Sequence, residues 1–420
     1  MSGLPALLIE QATKMPAKTA LRSHQLGIWE PTTWAQLLSH SATAGMGLVA
    51  AGAKAGDVVA IIAANHASSI AAELGAQGIG LVTLLIDPAT PGPVVADLLK
   101  TRNATIAVVG DEEQHDKLIE NGAAATLNKL VVMETRGLRH LDDAEASTDA
   151  VVIAYSRLRR LGEERSGEWA SVAGARPAGD PAAIIAGTLH TNHDLETAAR
   201  RAATELALTP RDSTLAVMAF AEPTGHAMLG AALAAGFPVQ LSKTSSQAVR
   251  DLRVVRPTVL VAPDWLLVAI KRDADGRARN TKGLRKAAYV AGMRRRAAAP
   301  QGGAGAKPVP PLMLMVGALV ALAFVVYSAF SVNANPIVRV IVPFAVIAAI
   351  AVGLALSGLL TARPLRSRYG FSAARAVLTP LDGLNTDVRS WFEAVGVPLR
   401  PDNMLRDISV DHDAVSGRGR

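Results

Sequence analysis

Over its first 150 residues the chain alternates two textures. Stretches rich in Ala, Leu and Gly, at 37–51, 69–77 and 94–101, have the make-up of helices, and between them fall short apolar runs at 58–63, 81–86, 106–109 and 130–133. Gly56-Asp57, Pro91 and Gly110-Asp111 punctuate the series as turn residues do. An apolar run without alternation suits a strand covered on both faces, so helices alternating with such strands predict an α/β fold with a mainly parallel sheet. Residues 150–180 are charged and read as loop. The strand texture returns at 182–186, 215–220 and 259–262, with a helix expected at 195–206. Residues 297–311, built largely of Ala, Gly and Pro, read as a flexible linker.

Two later runs differ in kind. Residues 312–332 and 340–360 each extend for 21 positions without Asp, Glu, Lys, Arg or His. As helices they would measure roughly 32 Å, against about 30 Å for a hydrocarbon core. Gly317 and Ala321, then Ala349, Gly353 and Ser357, repeat small residues at four-residue spacing, which lets two helices approach closely in lipid. The pattern predicts a two-helix transmembrane hairpin turning at 333–339.

Charge bears on orientation. Of the chain's formal +7, an excess of nine lies within 271–310, where eleven Lys or Arg face only Asp273 and Asp275. Lys282, Arg285, Lys286, Arg294, Arg295 and Arg296 before the hairpin, and Arg363, Arg366 and Arg368 after it, are the expected contacts to anionic lipid head groups. The positive-inside tendency then places both termini in the cytoplasm of an inner-membrane protein. No basic region followed by an apolar core opens the sequence, so no cleaved leader is expected. The basic block holds one aromatic residue, Tyr289, too few for the stacking that single-stranded nucleic acid demands, so nucleic acid is not an expected partner. The absence of cysteine excludes disulfides, thiolate metal sites and iron–sulfur clusters.

A family pattern runs through the ordered segments PAKTALR (16–22), Trp29, Thr33-Trp34, GAKAGDVVAI (52–61), Asn65, Pro88, DEEQHDKL (111–118), DPAAII (180–185), RPTVL (256–260) and TPLDGLNTDVRSWFEAVGVPL (379–399). Together they resemble the N-terminal domain of bacterial long-chain fatty acyl-CoA synthetases, of the adenylate-forming superfamily. The resemblance implies activation of a fatty acid with ATP, then transfer to coenzyme A. It also implies a Gly/Ser/Thr-rich loop, TSGTTGxPKG, whose amides and hydroxyls wrap the phosphates. Here Ile185 passes through Ala186, Gly187, Thr188, Leu189 and His190 directly to Thr191-Asn192-His193-Asp194-Leu195, the counterpart of the family's THxNL. Gly187, Thr188 and Thr191 are all that remains of the phosphate site. By the same resemblance, Glu222 stands where LPLxH has its histidine, with His226 four residues late. Asp264 stands where VPRxW has its arginine, and 400–404 (RPDNM) where YGxTE would hold adenine and magnesium. Against the family's length, the C-terminal domain is expected to be absent.

Other constellations point elsewhere only weakly. His190 and His193 have no third ligand at a recognisable spacing, so no metal is expected. Gly78-x-Gly80 lacks the third glycine of a dinucleotide fingerprint and reads as packing. Asp194 and Glu222 read as solvated carboxylates. The expected organisation is a synthetase-like α/β region at 1–270, a basic segment and linker at 271–311, the hairpin at 312–360, and a residual synthetase-like segment with a tail at 361–420. The expected function is that of a pseudoenzyme: no catalytic residues, no cofactor, no metal, and a docking or accessory role beside a membrane-protein partner. The alternatives are an acyl-chain or acyl-CoA binder at the membrane, and a fatty acid–CoA ligase completed by another chain.

Overall fold

A computed structural model of the chain describes residues 2–25, 28–138, 141, 151–242, 245–280, 365–381 and 383–406. Its strands are β1 (Thr19–Gln25), β2 (Ile28–Thr33), β3 (Val58–Ile62), β4 (Val82–Ile86), β5 (Ala104–Val109), β6 (Lys129–Val132), β7 (Val152–Ala154), β8 (Pro181–Ile185), β9 (Thr188–Thr191), β10 (Thr214–Ala216), β11 (Val239–Leu241), β12 (Val259–Val261), β13 (Ala376–Thr379) and β14 (Leu399–Pro401). They form three sheets, ordered β7-β6-β5-β3-β4-β8-β9, β10-β11-β1-β2 and β12-β13-β14. Pairing is parallel except where β9 returns along β8 and β2 along β1.

The apolar runs are explained by the seven-stranded sheet. On β3, Val59 and Ile61 join one core with Leu37, Leu48, Ile70, Leu74 and Leu158 from helices on one face. Ala60 and Ile62 join a second core with Val95, Leu99 and Leu118 on the other. Successive side chains point to opposite faces, so a strand buried on both sides must be apolar at every position. On β4 all five residues are buried. A third core, containing Tyr369, Phe371, Trp391 and Phe392, packs the three-stranded sheet against helices Ala248–Val255, Asp264–Asn280 and Thr386–Val395.

Helices Trp34–Ala50 and Ala67–Gly78 approach each other closely around Trp169, whose indole N–H donates to Gly75 O at 3.0 Å. A Cβ on Gly78 would lie 2.3 Å from Trp169 Cζ2, so this glycine serves packing, as expected of Gly78-x-Gly80. Near the third sheet, the Arg375 guanidinium grips Asp212 in a bidentate pair, Nε to Oδ1 at 2.8 Å and Nη2 to Oδ2 at 2.9 Å. The same guanidinium donates to Leu206 O and Ala207 O, and Thr258 Oγ1 donates to Asp212 Oδ1 at 2.8 Å. Burial alone would raise the Asp212 pKa, but Arg375, the Thr258 hydroxyl and the Thr209 amide outweigh it and bring it down to about 2.

Several expectations require correction. Residues 312–332 and 340–360, read from sequence as a transmembrane hairpin, lie outside the described residues. Among the described residues no helix is long and apolar enough to cross a membrane. Helices Trp34–Ala50 and Asp264–Asn280, at 17 residues each, would reach only about 26 Å, and the second is laden with charge. The two-span architecture and the inner-membrane placement derived from it are therefore withdrawn, and the fold is an α/β fold with mixed and parallel sheets. The stretch 150–180, read as loop, carries β7 and helices Tyr155–Glu163 and Trp169–Gly174, and its end, 175–180, is without helix or strand. The run at 215–220 is strand only to Ala216.

Candidate functional site

Where the resemblance calls for a phosphate loop, β8 and β9 are joined by Ala186 and Gly187 alone. Ile185 pairs with Thr188, Ile184 with Leu189 and Ala183 with His190. Both turn residues have positive φ, 48° for Ala186 and 84° for Gly187, the left-handed pair that closes a two-residue hairpin. The Gly187 carbonyl accepts from Arg102 Nη2 at 2.9 Å. Thr188 is the first residue of β9, with its side chain exposed. Thr191 caps helix Asn192–Glu205 in a box with Asp194: the Asp194 N–H donates to Thr191 Oγ1, and the Thr191 N–H to Asp194 Oδ2 at 2.8 Å. Each remnant of the phosphate site thus serves local structure, and a turn of two residues offers no run of free amides to wrap a triphosphate. The residues present do not fit that group.

The other altered positions are equally informative. Glu222 is exposed at the start of helix Pro223–Ala235, with no side-chain capping bond. His226, four residues on, is 2% exposed, and its Nε2 lies 2.7 Å from Glu73 Oε1. A carboxylate only accepts, so Nε2 carries the proton. Gln77 Nε2 donates to the same Glu73 oxygen and to Thr83 Oγ1, each at 3.1 Å, and Thr83 Oγ1 donates to Ala182 O on β8 at 3.2 Å. This chain of buried polar groups ties helices Ala67–Gly78 and Pro223–Ala235 to β4 and β8. Its sequence signal was slight: Glu73 and Gln77, four apart, are the polar positions of an otherwise apolar helix segment.

Glu73 also borders a cleft of about 290 Å³, part of it open to solvent, at the C-terminal ends of β3 and β4. Asn65 fixes one wall, its Nδ2 donating to Met218 O at 2.7 Å and its Oδ1 accepting from Phe220 N–H at 2.9 Å. Phe220 is shared with a second, apolar cleft of about 250 Å³ between β10, β11 and helix Pro223–Ala235.

Other candidate residues separate. His190 is buried on β9 whereas His193 is exposed, its Nε2 3.5 Å from Thr197 Oγ1. No cluster of metal-ligating side chains occurs among the described residues. Of the expected lipid-contacting residues, Lys282, Arg285, Lys286, Arg294, Arg295, Arg296 and Arg363 lie outside the described residues. Arg366 donates to Phe371 O and Ala374 O, and Arg368 is exposed. Helix Asp264–Asn280 runs through the boundary placed at 271, where Lys271 Nζ meets Asp275 at 2.7 Å and Asp387 at 2.8 Å.

A family model for AMP-binding enzymes matches residues 8–318. The chain belongs to the AMP-binding enzyme family. No curated protein matches it. Among solved structures, a carboxylic acid reductase didomain from Segniliparus rugosus in complex with AMP is 12% identical, with a TM-score of 0.61 over 95% of this chain and 52% of that one. Coronafacic acid ligase from Pectobacterium brasiliense is 17% identical, with a TM-score of 0.54 over 68% and 54%. A long-chain-fatty-acid CoA ligase described from Rhodopseudomonas palustris is 20% identical, with a TM-score of 0.50 over 63% and 64%. These likenesses concern the fold. The chain spans about half to two thirds of the length of these AMP-binding family structures.

Proposed function

We propose that this member of the AMP-binding family does not form acyl adenylates and uses the retained α/β fold as a non-catalytic docking or accessory module. The observation that supports the reading is the two-residue Ala186-Gly187 turn between β8 and β9. Phosphoryl and adenylyl chemistry is stabilised by donors aimed at developing charge, and one such donor is worth roughly 100- to 1000-fold in rate. A family member without the whole loop would retain negligible turnover. Glu222 acts in the same direction, since it sets a negative charge where the resemblance implies a histidine near an anionic substrate.

Fatty-acid-dependent exchange of pyrophosphate into ATP is the direct test. The expected result is no exchange above a protein-free control, and sustained, fatty-acid-dependent exchange by the isolated chain would overturn the proposal. Exchange that appears only when a second protein is added would instead favour a ligase completed in trans. An acyl-chain binder gains no support from the two clefts, since the space open to a water-sized sphere is about 10 Å³ in the apolar cleft and about 20 Å³ in the cleft beside Glu73, room for about one water molecule each.

A further inference from the structure

Helices Ala248–Val255 and Asp264–Asn280 bring arginines together around one carboxylate. Arg253 Nη2 lies 3.2 Å and Arg277 Nε 2.8 Å from the same oxygen, Asp273 Oδ2, and the Tyr369 hydroxyl donates to that oxygen at 2.7 Å. The Arg253 guanidinium also lies over the buried Tyr369 ring, 5.2 Å from its centroid, so its position is set from two directions. The Arg277 bond, reinforced by Tyr369, holds the Asp273 carboxyl below its ordinary pKa against the effect of burial, so it is charged at neutral pH. One carboxylate shared by two guanidiniums leaves a positive surplus. Arg256, which ends the first helix in a left-handed conformation, folds back so that its Nε donates to Arg253 O at 3.4 Å. Arg250, one turn before Arg253, lies on the same flank of the helix. Both are exposed, and neither pairs with a carboxylate among the described residues.

We propose that this arginine cluster binds the dianionic phosphate group of a phosphate monoester, with Arg253 and Arg277 gripping its oxygens and Arg250 and Arg256 adding charge. The chemistry follows from the donors. Guanidinium is a planar fork that pairs with two oxygens at once and is weakly hydrated, so it gives up water readily for an oxyanion. A phosphate monoester offers three acceptor oxygens and nearly two negative charges, which suits guanidiniums arriving from two helices and offsets their mutual repulsion. A carboxylate carries half that charge, and Asp273 already supplies one. The side chains of Arg253 and Arg277 are 34% and 48% exposed, so an anion reaches them from solution and no cavity is required. Asp273 and Tyr369 hold the two guanidiniums side by side before the ligand arrives. The same phosphate group is carried by free phosphorylated molecules and by phosphatidic acid in a bilayer. The site makes no use of the β8–β9 turn, and the outcome of the exchange assay has no bearing on it.

Titration calorimetry on the full chain at low, matched ionic strength, with inorganic phosphate and acetate as probes, tests the proposal. Phosphate is expected to bind in the millimolar range, roughly 10-fold more tightly than acetate. The double variant Arg253→Gln, Arg277→Gln should weaken phosphate binding by roughly 10-fold or more. Arg256→Gln, which breaks no ion pair within the described fold, should weaken it by roughly 2- to 5-fold. Arg165→Gln, in the exposed pair with Glu168, should leave it unchanged. Equal affinity for phosphate and acetate, or no binding of phosphate, would overturn the proposal on the native protein alone, whether or not the variants fold. Undiminished phosphate binding by a folded double variant would overturn it equally. Sedimentation with phosphatidylcholine vesicles that contain phosphatidic acid, reversed by inorganic phosphate and absent with phosphatidylcholine alone, would support the site with a lipid head group as its ligand. Phosphate binding without such sedimentation would support it with a free phosphate monoester.

Discussion

The β8–β9 turn and the buried pair of Glu73 and His226 show two fates for polar chemistry in one fold. At the turn, a two-residue hairpin whose backbone pairs with itself stands where the resemblance calls for a phosphate loop. At the pair, two ionisable side chains sit deep between helices Ala67–Gly78 and Pro223–Ala235, joined to each other and, through Glu73, to Gln77. The difference teaches that a surface loop can be lost at little cost, because its groups return to water. A buried pair can be dismantled only from both sides at once.

Breaking the pair from one side should give the largest effect. His226→Leu leaves the Glu73 carboxylate buried with Gln77 as its remaining donor, and is expected to cost about 3–5 kcal/mol in denaturant unfolding. The double variant Glu73→Leu, His226→Leu should recover most of that loss, and a cost that merely adds would erase the contrast drawn here. Asp212 sharpens the comparison because both of its oxygens have partners. Its pKa is held below the ordinary value of 3.8, at about 2, so its contribution is fully present above pH 4 and is lost as the pH falls towards 2. That contribution is on the order of 2 kcal/mol, and Asp212→Asn should flatten this part of the stability–pH profile. The turn should respond least. Gly187→Val forces a β-branched residue to a φ of 84° and is expected to cost about 1–2 kcal/mol. Ala186→Gly relieves strain at a φ of 48° while loosening the unfolded chain, for a net change under about 1 kcal/mol.

The seven-stranded sheet was largely legible because β3, β4 and β5 are apolar at nearly every position, and Gly56-Asp57 and Gly110-Asp111 mark their ends. The tight turn between β8 and β9 was legible as well, since only Ala186 and Gly187 separate two recognisable segments. Helix Tyr155–Glu163 was missed because it buries little more than Tyr155, Leu158 and Gly162 and covers the rest with arginine and glutamate, so its charge masked its 3.6-residue period. The run at 215–220 is apolar enough for a longer strand, yet Asn65 captures the backbone of Met218 and Phe220 and turns it away. The Glu73–His226 contact spans 153 positions, a distance at which a single sequence carries no pairing signal. At the start of the basic stretch, Lys271 and Arg277 are engaged with carboxylates within the fold, pairings that the charge count alone does not show.

Parallel pairing of β12 with β13 sets Val259 beside Ala376, although more than one hundred residues of chain lie between them. During synthesis at about 5–20 residues per second, β13 would leave the ribosome on the order of ten seconds after β12. Over that interval the edge of β12 that β13 will occupy has no strand to receive its hydrogen bonds. Helix Thr386–Val395, with Trp391 and Phe392, has not yet arrived to complete the core around Leu260. The third sheet is therefore the last part of the fold that can close, and the unpaired edge of β12 is the place where a nascent chain is most open to capture by a chaperone or by another copy of itself.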